Sequence, residues 1–515
     1  MYVRGGRLSG GALLRTRHRA RVRGGRAGRR PAAERGPGGG PGGGRRHGRG
    51  GRVGPGSVRV RGRPAHRSRA VRPEVAGDRR RALARRGTAV QPLADVARRA
   101  RRGPTRAAAG DRGARGRGRL PRRRPDRVGH LGGARVTVLG NARVVLPSGV
   151  VEGASVGVVG DRIAFAGPGL PAGPEPVVDV AGGWIVPGFV DMHVHGGGGG
   201  SYTSGDPDEA VRVAEFHRSH GTTTTVASLV TASPAELLRI VSELAPLVHD
   251  GRLAGLHLEG PYLSAARCGA HDPTQLRAPD RDEVTALLKA GSGAIRMLTL
   301  APELPGGIEL VRRLADEGVI AAVGHTDGTH RETRAALAAG ASVATHLFNA
   351  MRSVHHREPG PVTALLQDSD AVVELINDGV HLHSSVVNLA YASAGPDRVA
   401  FITDAMGAAG MPDGVYPLGV MTVDVVDGVA RLADGDSIAG STLTLDRALR
   451  NGVAGGLPIA DVVRSLSATP ARALGIADRV GTLEPGKRAD LVVLDDALRV
   501  RAVMACGAWV DHRRP

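Results

Sequence analysis

The order of apolar and polar residues changes near residue 136, and the chain beyond that point opens and closes with the same kind of pattern. Short runs of alternating apolar and polar residues, separated by Gly, Pro and Asp, predict β-strands at both ends of this region. The runs are Val136–Leu139, Ala142–Leu146, Ala154–Val159, Arg162–Ala166, Asp490–Leu494, Val500–Val503 and Ala508–Val510. We expect residues 136–187 and 479–515 to form one small β-sandwich domain.

Between these ends, apolar runs alternate with amphipathic stretches that have the spacing of helices. The strand candidates are Trp184–Val194, Thr223–Leu229, Leu253–Leu258, Ile295–Leu300, Val319–Gly324, Ser342–Leu347, Val372–Asn377 and Val399–Thr403. The helix candidates include Asp208–His220, Pro234–Val248, Arg281–Ala290, Ile308–Glu317 and Arg331–Ala339. Eight β/α units within residues 188–478 favour an α/β fold of the (β/α)8 TIM-barrel type over a doubly wound sheet.

Composition changes this picture only for the first 135 residues. The chain has 515 residues and a formal net charge of +21, which, if evenly spread, would suggest a protein that binds nucleic acid or a membrane surface. However, residues 1–135 hold 40 Arg, 30 Gly and 6 acidic residues, a net charge of +34, whereas the remaining 380 residues carry −13. A segment with so little apolar surface cannot offset the entropy lost on folding, so we expect a disordered Arg/Gly-rich extension.

Three interpretations of this extension follow from its composition. It could be an arm that binds RNA or DNA through phosphate contacts, or an organelle transit peptide, since such peptides are rich in arginine and poor in acidic residues. It could also be GC-rich upstream DNA read as protein, because Arg, Gly, Pro and Ala have GC-rich codons. We favour the last interpretation, with translation starting near Val136.

Histidines and carboxylates stand where the predicted barrel strands end. His193 and His195 are two residues apart, so in a strand both side chains point to one face. Glu259, His325 and His346 follow strands three, five and six. The carboxyl ends of barrel strands meet at one face, and imidazole and carboxylate groups are ligands of zinc. The sequence therefore predicts a divalent-metal site at this face.

Asp404 follows the eighth strand and would face that metal across the barrel mouth. A divalent ion lowers the pKa of bound water from 15.7 towards about 7. A nearby carboxylate can take the proton of that water and pass it to a leaving amine. We expect Asp404 to be this general base and acid; the alternative is that it caps the next helix.

The motifs around these residues resemble a known family. The runs Pro187–Gly196 and Gly481–Leu491 resemble the opening and closing motifs of the amidohydrolase superfamily. Within it, His257–Pro261 (HLEGP), Thr345–Met351 (THLFNAM) and Arg357–Gly360 (REPG) are similar to the N-acetylglucosamine-6-phosphate deacetylase family. This resemblance covers residues 136–515. It implies hydrolysis of N-acetylglucosamine 6-phosphate to glucosamine 6-phosphate and acetate, in amino-sugar catabolism and cell-wall recycling.

The resemblance also implies roles for individual residues. Glu259, His325 and His346 would hold the main metal, and Asp404 would be the general base and acid. His193 and His195 make a second metal position possible, and the ion could be zinc, iron or another divalent metal. Arg357 would reach the substrate phosphate in a neighbouring subunit, which implies a homodimer. The implied substrate contacts are Ala270, His271, Asn349, Ala350, Arg357, His381, Ile438, Ala439, Gly440 and Ser441.

Two other functions remain open at this point. One is another amidohydrolase, similar to dihydroorotases or to cytosine and adenine deaminases, many of which have a carboxylated lysine after strand four. Here strand four ends in Leu300–Glu303 without a lysine, and Glu259 can take that role, which favours the deacetylase. The other is a nucleic-acid-binding protein that uses the Arg/Gly extension. Related substrates such as N-acetylgalactosamine 6-phosphate also remain open.

The remaining expectations concern the cysteines and the location of the protein. Cys268 and Cys506 are the only two cysteines, which indicates no disulfide framework. We expect Cys506 to be in the core, and Cys268 to lie near the substrate without an assigned role. The sequence shows no signal peptide or transmembrane stretch, so we expect a cytoplasmic enzyme.

Overall fold

The computed structural model describes residues 136–170, 177–510 and 515; the expectations for residues 1–135 lie outside this part of the chain. Its strands are β1 (Val136–Leu146), β2 (Gly149–Val159), β3 (Arg162–Pro168), β4 (Val177–Asp179), β5 (Trp184–Pro187), β6 (Phe189–Val194), β7 (Gly196–Gly197), β8 (Gly200–Ser201), β9 (Thr222–Val230), β10 (Gly255–Glu259), β11 (Ile295–Leu300), β12 (Ile320–Val323), β13 (Val343–Ala344), β14 (Val372–Ile376), β15 (Val399–Ile402), β16 (Gly414–Leu418), β17 (Met421–Val426), β18 (Val429–Leu432), β19 (Leu491–Leu494), β20 (Val500–Ala505) and β21 (Ala508–Trp509).

The described helices are α1 (Pro207–Ser219), α2 (Pro234–His249), α3 (Arg281–Gly291), α4 (Gly307–Asp316), α5 (His330–Ala338), α6 (Gly360–Gln367), α7 (Ser384–Ala394), α8 (Leu445–Ala454), α9 (Ile459–Leu466) and α10 (Ala468–Ala473). Side chains cap several of them: Asp206 accepts from the first turn of α1, Ser233 caps α2, and Thr329 and Glu332 form a capping box at α5. In the described part of the chain, no helix is both long enough and apolar enough to span a membrane.

Strands from both ends of the described chain form one sheet, in the order β21-β20-β19-β5-β1-β2-β3, with β4 beside β1. Alternate residues of the interior strand β19 pack in different cores. Val492 and Leu494 pack with the large core of the molecule, whereas Leu491 and Val493 belong to a separate core of this sheet. The two-residue period of a strand explains why β19 is apolar throughout and still serves two layers.

The second large sheet confirms the predicted barrel. Eight strands run in the order β6-β9-β10-β11-β12-β13-β14-β15, and every ladder between neighbours is parallel. Hydrogen bonds join the first and last strands at their carboxyl ends: the Asp404 N–H donates to the His193 carbonyl at 2.9 Å, and the His195 N–H donates to the Ala405 carbonyl at 2.8 Å. This junction places His193 and His195 beside Asp404.

Two predicted barrel strands differ from those observed, and the predicted runs Val136–Leu139 and Ala142–Leu146 form the single strand β1. The run Trp184–Val194 forms two strands, β5 in the small sheet and β6 in the barrel, which separate at Gly188. A Cβ atom at Gly188 would lie 2.2 Å from Oγ1 of Thr223, so glycine permits the close passage between the two sheets. The predicted sixth strand keeps only Val343–Ala344, because the following turn contains residues with left-handed backbone.

Sequence patterns did not predict the three-stranded antiparallel sheet β16-β17-β18, which is inserted between β15 and α8. Its apolar side chains, including Leu418 and Val423, pack with Val230 and Met406 at the carboxyl ends of barrel strands.

The prediction that Cys506 lies in the core was wrong. Cys506 is exposed and lies in a tight turn, where its φ is 49°.

Gly324, directly before His325, tests how closely the barrel packs near the carboxyl ends of its strands. A Cβ atom there would lie 2.6 Å from Cβ of Thr345 and 2.9 Å from Cγ2 of Thr299. We predict that Gly324→Ala lowers the free energy of unfolding by about 1–3 kcal/mol, because the added methyl group overpacks the barrel. The matched control is Gly167→Ala in β3, where nothing lies within 4 Å; it should change stability by less than about 1 kcal/mol. Equal effects in denaturant titrations would contradict this packing constraint.

Candidate metal centre and active-site cavity

A cavity of about 640 Å³ opens at the carboxyl ends of the barrel strands, within the range of roughly 300–1,000 Å³ typical of small-molecule sites. Its floor is polar. His195, Glu259, His325, His346 and Asp404 all line it, and all five are buried.

Glu259 is the centre of the polar cluster. Its Oε1 lies 2.9 Å from Nε2 of His346 and 3.3 Å from Nε2 of His325, and its Oε2 lies 3.1 Å from Nε2 of His195. The two imidazole nitrogens of His325 and His346 are themselves 3.1 Å apart. Ligands about 2.0–2.1 Å from a tetrahedral ion are separated by roughly 3.3 Å. The donor spacing therefore fits one divalent metal between Glu259, His325 and His346.

A second group of donors lies on the other side of Glu259. The Nε2 atoms of His193 and His195 are 3.1 Å apart, and Oδ1 of Asp404 lies 3.5 Å and 3.2 Å from them, respectively. Nε2 of His193 is also 3.4 Å from Oε1 of Glu259. The Glu259 carboxylate thus stands between two groups of imidazoles, as a ligand shared by two ions would.

The backbone at three of these positions is strained. His325, His346 and Asp404 have φ values of 47°, 28° and 49°, in the left-handed region that non-glycine residues rarely occupy. Each such residue costs on the order of 1–3 kcal/mol and persists where surrounding structure enforces it, which is common at active sites. The strain supports a functional origin for this arrangement.

The charges of the cluster also favour a bound cation. Glu259, Asp404 and the buried Glu374 contribute three carboxylates, and none of them pairs with a lysine or arginine in the part of the chain that the structure describes. Burial alone would lower the pKa of His195, but its hydrogen bonds to Asp404 and Glu259 raise it to about 9. Burial alone would likewise raise the pKa of Asp404, but His193 and His195 hold it at about 2. A divalent ion supplies the positive charge that this environment attracts.

His271 is within ligand distance of Glu259 and His325, yet its hydrogen bonds give it a different role. The backbone N–H of Thr231 donates to Nδ1 of His271 at 3.3 Å. Nδ1 is therefore unprotonated, and Nε2 carries the hydrogen of a neutral ring. Burial lowers the pKa of His271 to about 4, which keeps the ring neutral at pH 7. His271 is thus a hydrogen-bond donor at the edge of the metal cluster.

Comparison with known proteins agrees with this site. The model of the Amidohydrolase family matches residues 184–510. The chain belongs to this family. Amidohydrolases are metal-dependent, and the histidine and carboxylate groups of the cluster are suited to that requirement.

Relatives within the family are sugar-phosphate deacetylases. The chain is 38% identical to N-acetylgalactosamine-6-phosphate deacetylase of Escherichia coli O157:H7, over 63% of this chain and 86% of that protein. It is 34% identical to N-acetylglucosamine-6-phosphate deacetylase of Lysinibacillus sphaericus, over 72% of this chain and 96% of that protein. A crystal structure of a mutant N-acetyl-D-glucosamine-6-phosphate deacetylase from Mycobacterium smegmatis, in complex with N-acetyl-D-glucosamine-6-phosphate, is similar with a TM-score of 0.71 and 48% identity, covering 73% of this chain and 99% of that one.

The structure of this amidohydrolase brings most of the predicted substrate residues to the cavity. Those that line it are Ala270, His271, Asn349, Ala350, His381, Ile438 and Gly440. Ala439 and Ser441 are buried behind the wall, where the Ser441 N–H donates to the Asp404 carbonyl at 2.7 Å. Arg357 is exposed and does not line the cavity; its guanidinium contacts His356 at 2.7 Å.

Three polar residues of this site were missed by sequence reasoning. Arg267 and Arg431 line the cavity, Arg431 from the inserted sheet, and neither belongs to a motif with a chemical signature. Arg267 is paired with Asp327 at 2.8 Å, whereas Arg431 donates to the backbone carbonyl of Asp436. Glu374 lies behind the cavity floor. A lone acidic residue within the apolar strand Val372–Ile376 was a signal that could have revealed it.

The contrast between His271 and His346 can be tested by metal analysis. We predict that His271→Ala retains the metal content of the unmodified protein, because His271 donates a hydrogen bond and does not bind the ion. His346→Ala should lose the ion assigned to Glu259, His325 and His346, because it removes one of the three ligands. Metal content per chain after dialysis distinguishes the two, and depletion of metal in His271→Ala would assign that ring to the ligand set.

Proposed function

We propose that this amidohydrolase removes the acetyl group of N-acetylglucosamine 6-phosphate in amino-sugar catabolism. The observation that carries the proposal is the buried cluster of four imidazoles and two carboxylates at the floor of a sugar-sized cavity. The deacetylases described above, related over most of their length, support this substrate class over the dihydroorotase-like, deaminase-like and nucleic-acid-binding alternatives.

The donor set suits zinc, which takes imidazole and carboxylate ligands. We propose that Glu259, His325 and His346 would hold the main ion, and that His193 and His195, with Glu259, would hold a second. A divalent ion there would polarise the acetamide carbonyl and lower the pKa of a water molecule beside it.

Asp404 moves the proton in this mechanism. Its carboxylate lines the cavity and lies among the metal donors, and in its ionised form it can accept a proton. Asp404 takes one proton from the attacking water as the water oxygen bonds to the carbonyl carbon. It returns this proton to the sugar nitrogen as the C–N bond breaks, which yields the free amine and acetic acid; the acid then ionises to acetate at neutral pH.

Two other side chains position the substrate. Nε2–H of His271 points to the cluster, 3.5 Å from Oε2 of Glu259, and can donate to the carbonyl oxygen as negative charge develops on it. Nδ1 of His381 is 2.7 Å from Oδ2 of Asp378, which orients the His381 ring at the cavity wall. Both rings are therefore fixed before substrate binds, His271 by its hydrogen bond from Thr231 and His381 by its contact with Asp378.

We further propose a cytoplasmic homodimer. Arg357 is exposed outside the cavity of its own subunit, where a guanidinium could form a fork-like contact with a phosphate bound by a neighbouring copy. Both cysteines are free thiols, which is usual in a reducing compartment.

The first prediction is chelator-sensitive acetate release. The purified protein should release acetate from N-acetylglucosamine 6-phosphate, lose this activity after chelation and regain it with Zn²⁺. Unphosphorylated N-acetylglucosamine serves as the control and should react far more slowly. N-Acetylgalactosamine 6-phosphate tests the second candidate substrate, which the Escherichia coli relative suggests. No acetate from either phosphate, with folded and metal-loaded protein, would refute the proposed function.

The second prediction concerns proton transfer. Asp404→Asn should retain metal at Glu259, His325 and His346 and bind substrate, but kcat should fall by about 10²–10⁴-fold, because the amide cannot shuttle the proton. Asp282→Asn on the exposed surface of α3 is the matched control and should leave kcat unchanged. Near-normal turnover in Asp404→Asn would remove this residue from the mechanism.

A further inference from the structure

Glu374 is a buried carboxylate that the proposed mechanism does not use. It lies in the middle of β14, is fully buried and does not line the cavity. Its neighbours along the strand are valine, leucine and isoleucine. An ionised carboxylate in such surroundings costs several kcal/mol unless charged or donor groups compensate it.

Two hydrogen bonds reach the same oxygen of Glu374. Its Oε2 lies 3.0 Å from Nδ1 of His193 and accepts the backbone N–H of His346 at 3.2 Å. Its Oε1 is buried and has no hydrogen-bond partner in the described part of the chain. The carboxylate is therefore only partly satisfied, and its main side-chain partner is a proposed metal ligand.

The other proposed imidazole ligands do not have such a partner. Nδ1 of His195 and Nδ1 of His325 face main-chain carbonyl oxygens at 3.2 and 2.9 Å, respectively. Nδ1 of His346 is buried and unpartnered among the described residues. Among these four rings, His193 alone has a carboxylate, that of Glu374, behind it.

This contact determines which nitrogen of His193 can bind an ion. Because an ionised carboxylate only accepts hydrogen bonds, Nδ1 must carry the hydrogen, and Nε2 keeps its lone pair. Nε2 is the atom that lies 3.1 Å from Nε2 of His195. A carboxylate behind a ligating imidazole fixes the ring orientation and makes the ring a more basic ligand.

We propose that Glu374 is a positioning residue that holds His193 with Nδ1 protonated and thereby creates a second metal position between His193, His195 and Glu259. The proposal rests on the assignment of the cluster as the metal centre of the proposed deacetylase. It predicts that the two positions differ in their dependence on Glu374: the ion between Glu259, His325 and His346 should not require it.

Metal titration tests this directly. Apoprotein is titrated with Zn²⁺ against a competing chelator, and the number of ions and their Kd values are measured without substrate. The unmodified protein should bind two ions per chain. Glu374→Gln removes the negative charge that makes the His193 ring a more basic ligand, so it should bind the first ion as before and the second about 10–100-fold more weakly. Glu374→Asp, which keeps the charge on a shorter side chain, should be intermediate.

Two controls separate positioning from a general loss of packing. Glu283→Gln changes another largely buried glutamate, which pairs with Arg277 outside the metal cluster, and should bind both ions normally. His193→Asn should lose the second ion. Adding Glu374→Gln to this variant should not change the number of bound ions or the Kd of the remaining ion, because Glu374 acts through His193.

Several results would overturn the proposal. One is a single ion bound by the unmodified protein, and another is two ions of unchanged affinity in Glu374→Gln. The others are an equal weakening of the second ion in Glu283→Gln, or weaker binding of the remaining ion in the double variant than in His193→Asn. If Glu374→Gln does not fold, Glu374→Asp must show the selective loss of the second ion, and normal binding there also overturns it. Acetate release by the unmodified protein is measured separately, so that failure of the proposed function leaves the metal result independent.

Discussion

The buried carboxylate of Glu259 is the interaction on which this active site depends. Its two oxygens lie within 3.5 Å of five imidazole rings from four other segments of the barrel: His193, His195, His271, His325 and His346. A carboxylate with 3% exposure is unfavourable without positive partners. The fold must therefore bring the ends of strands one, three, five and six together, and a divalent ion between them would satisfy the charge.

That requirement explains the local departures from regular structure. The left-handed φ values at His325, His346 and Asp404 turn the chain sharply where the strands end, so that side chains point into the barrel mouth. Parallel ladders do not join β6 to β15, and single hydrogen bonds such as that from Asp404 to His193 connect them. The strained residues are supported by the large apolar core beneath them. Left-handed backbone at three buried polar residues of one cluster is consistent with a functional site.

Much of the barrel and of its polar cluster could be predicted from the sequence, because both depend on the periodicity of the strands and on which residues follow each strand. The two-residue spacing of His193 and His195, and polar residues after apolar runs, predicted which side chains would share a face. Other features depend on tertiary contacts that no local pattern encodes. The inserted sheet β16-β17-β18 has short, half-exposed strands, and the partnership of Glu374 with His193 joins residues 181 positions apart. The separation of β5 from β6 at Gly188 depends on close contact with Thr223, which is likewise distant in sequence.

The distribution of charge in the cavity suggests how a sugar phosphate would be oriented. Three carboxylates surround the floor, and the two divalent ions proposed there would offset their charge. Of the arginines, Arg431 lines the cavity from the inserted sheet, and Arg357 is exposed outside it. Arg267 is nearer but is already paired with Asp327. The proposed deacetylation needs the acetamide at the floor, beside the metal donors and Asp404. The sugar then extends towards the cavity wall formed by the inserted sheet, where Arg431 can meet the negative charge of the phosphate.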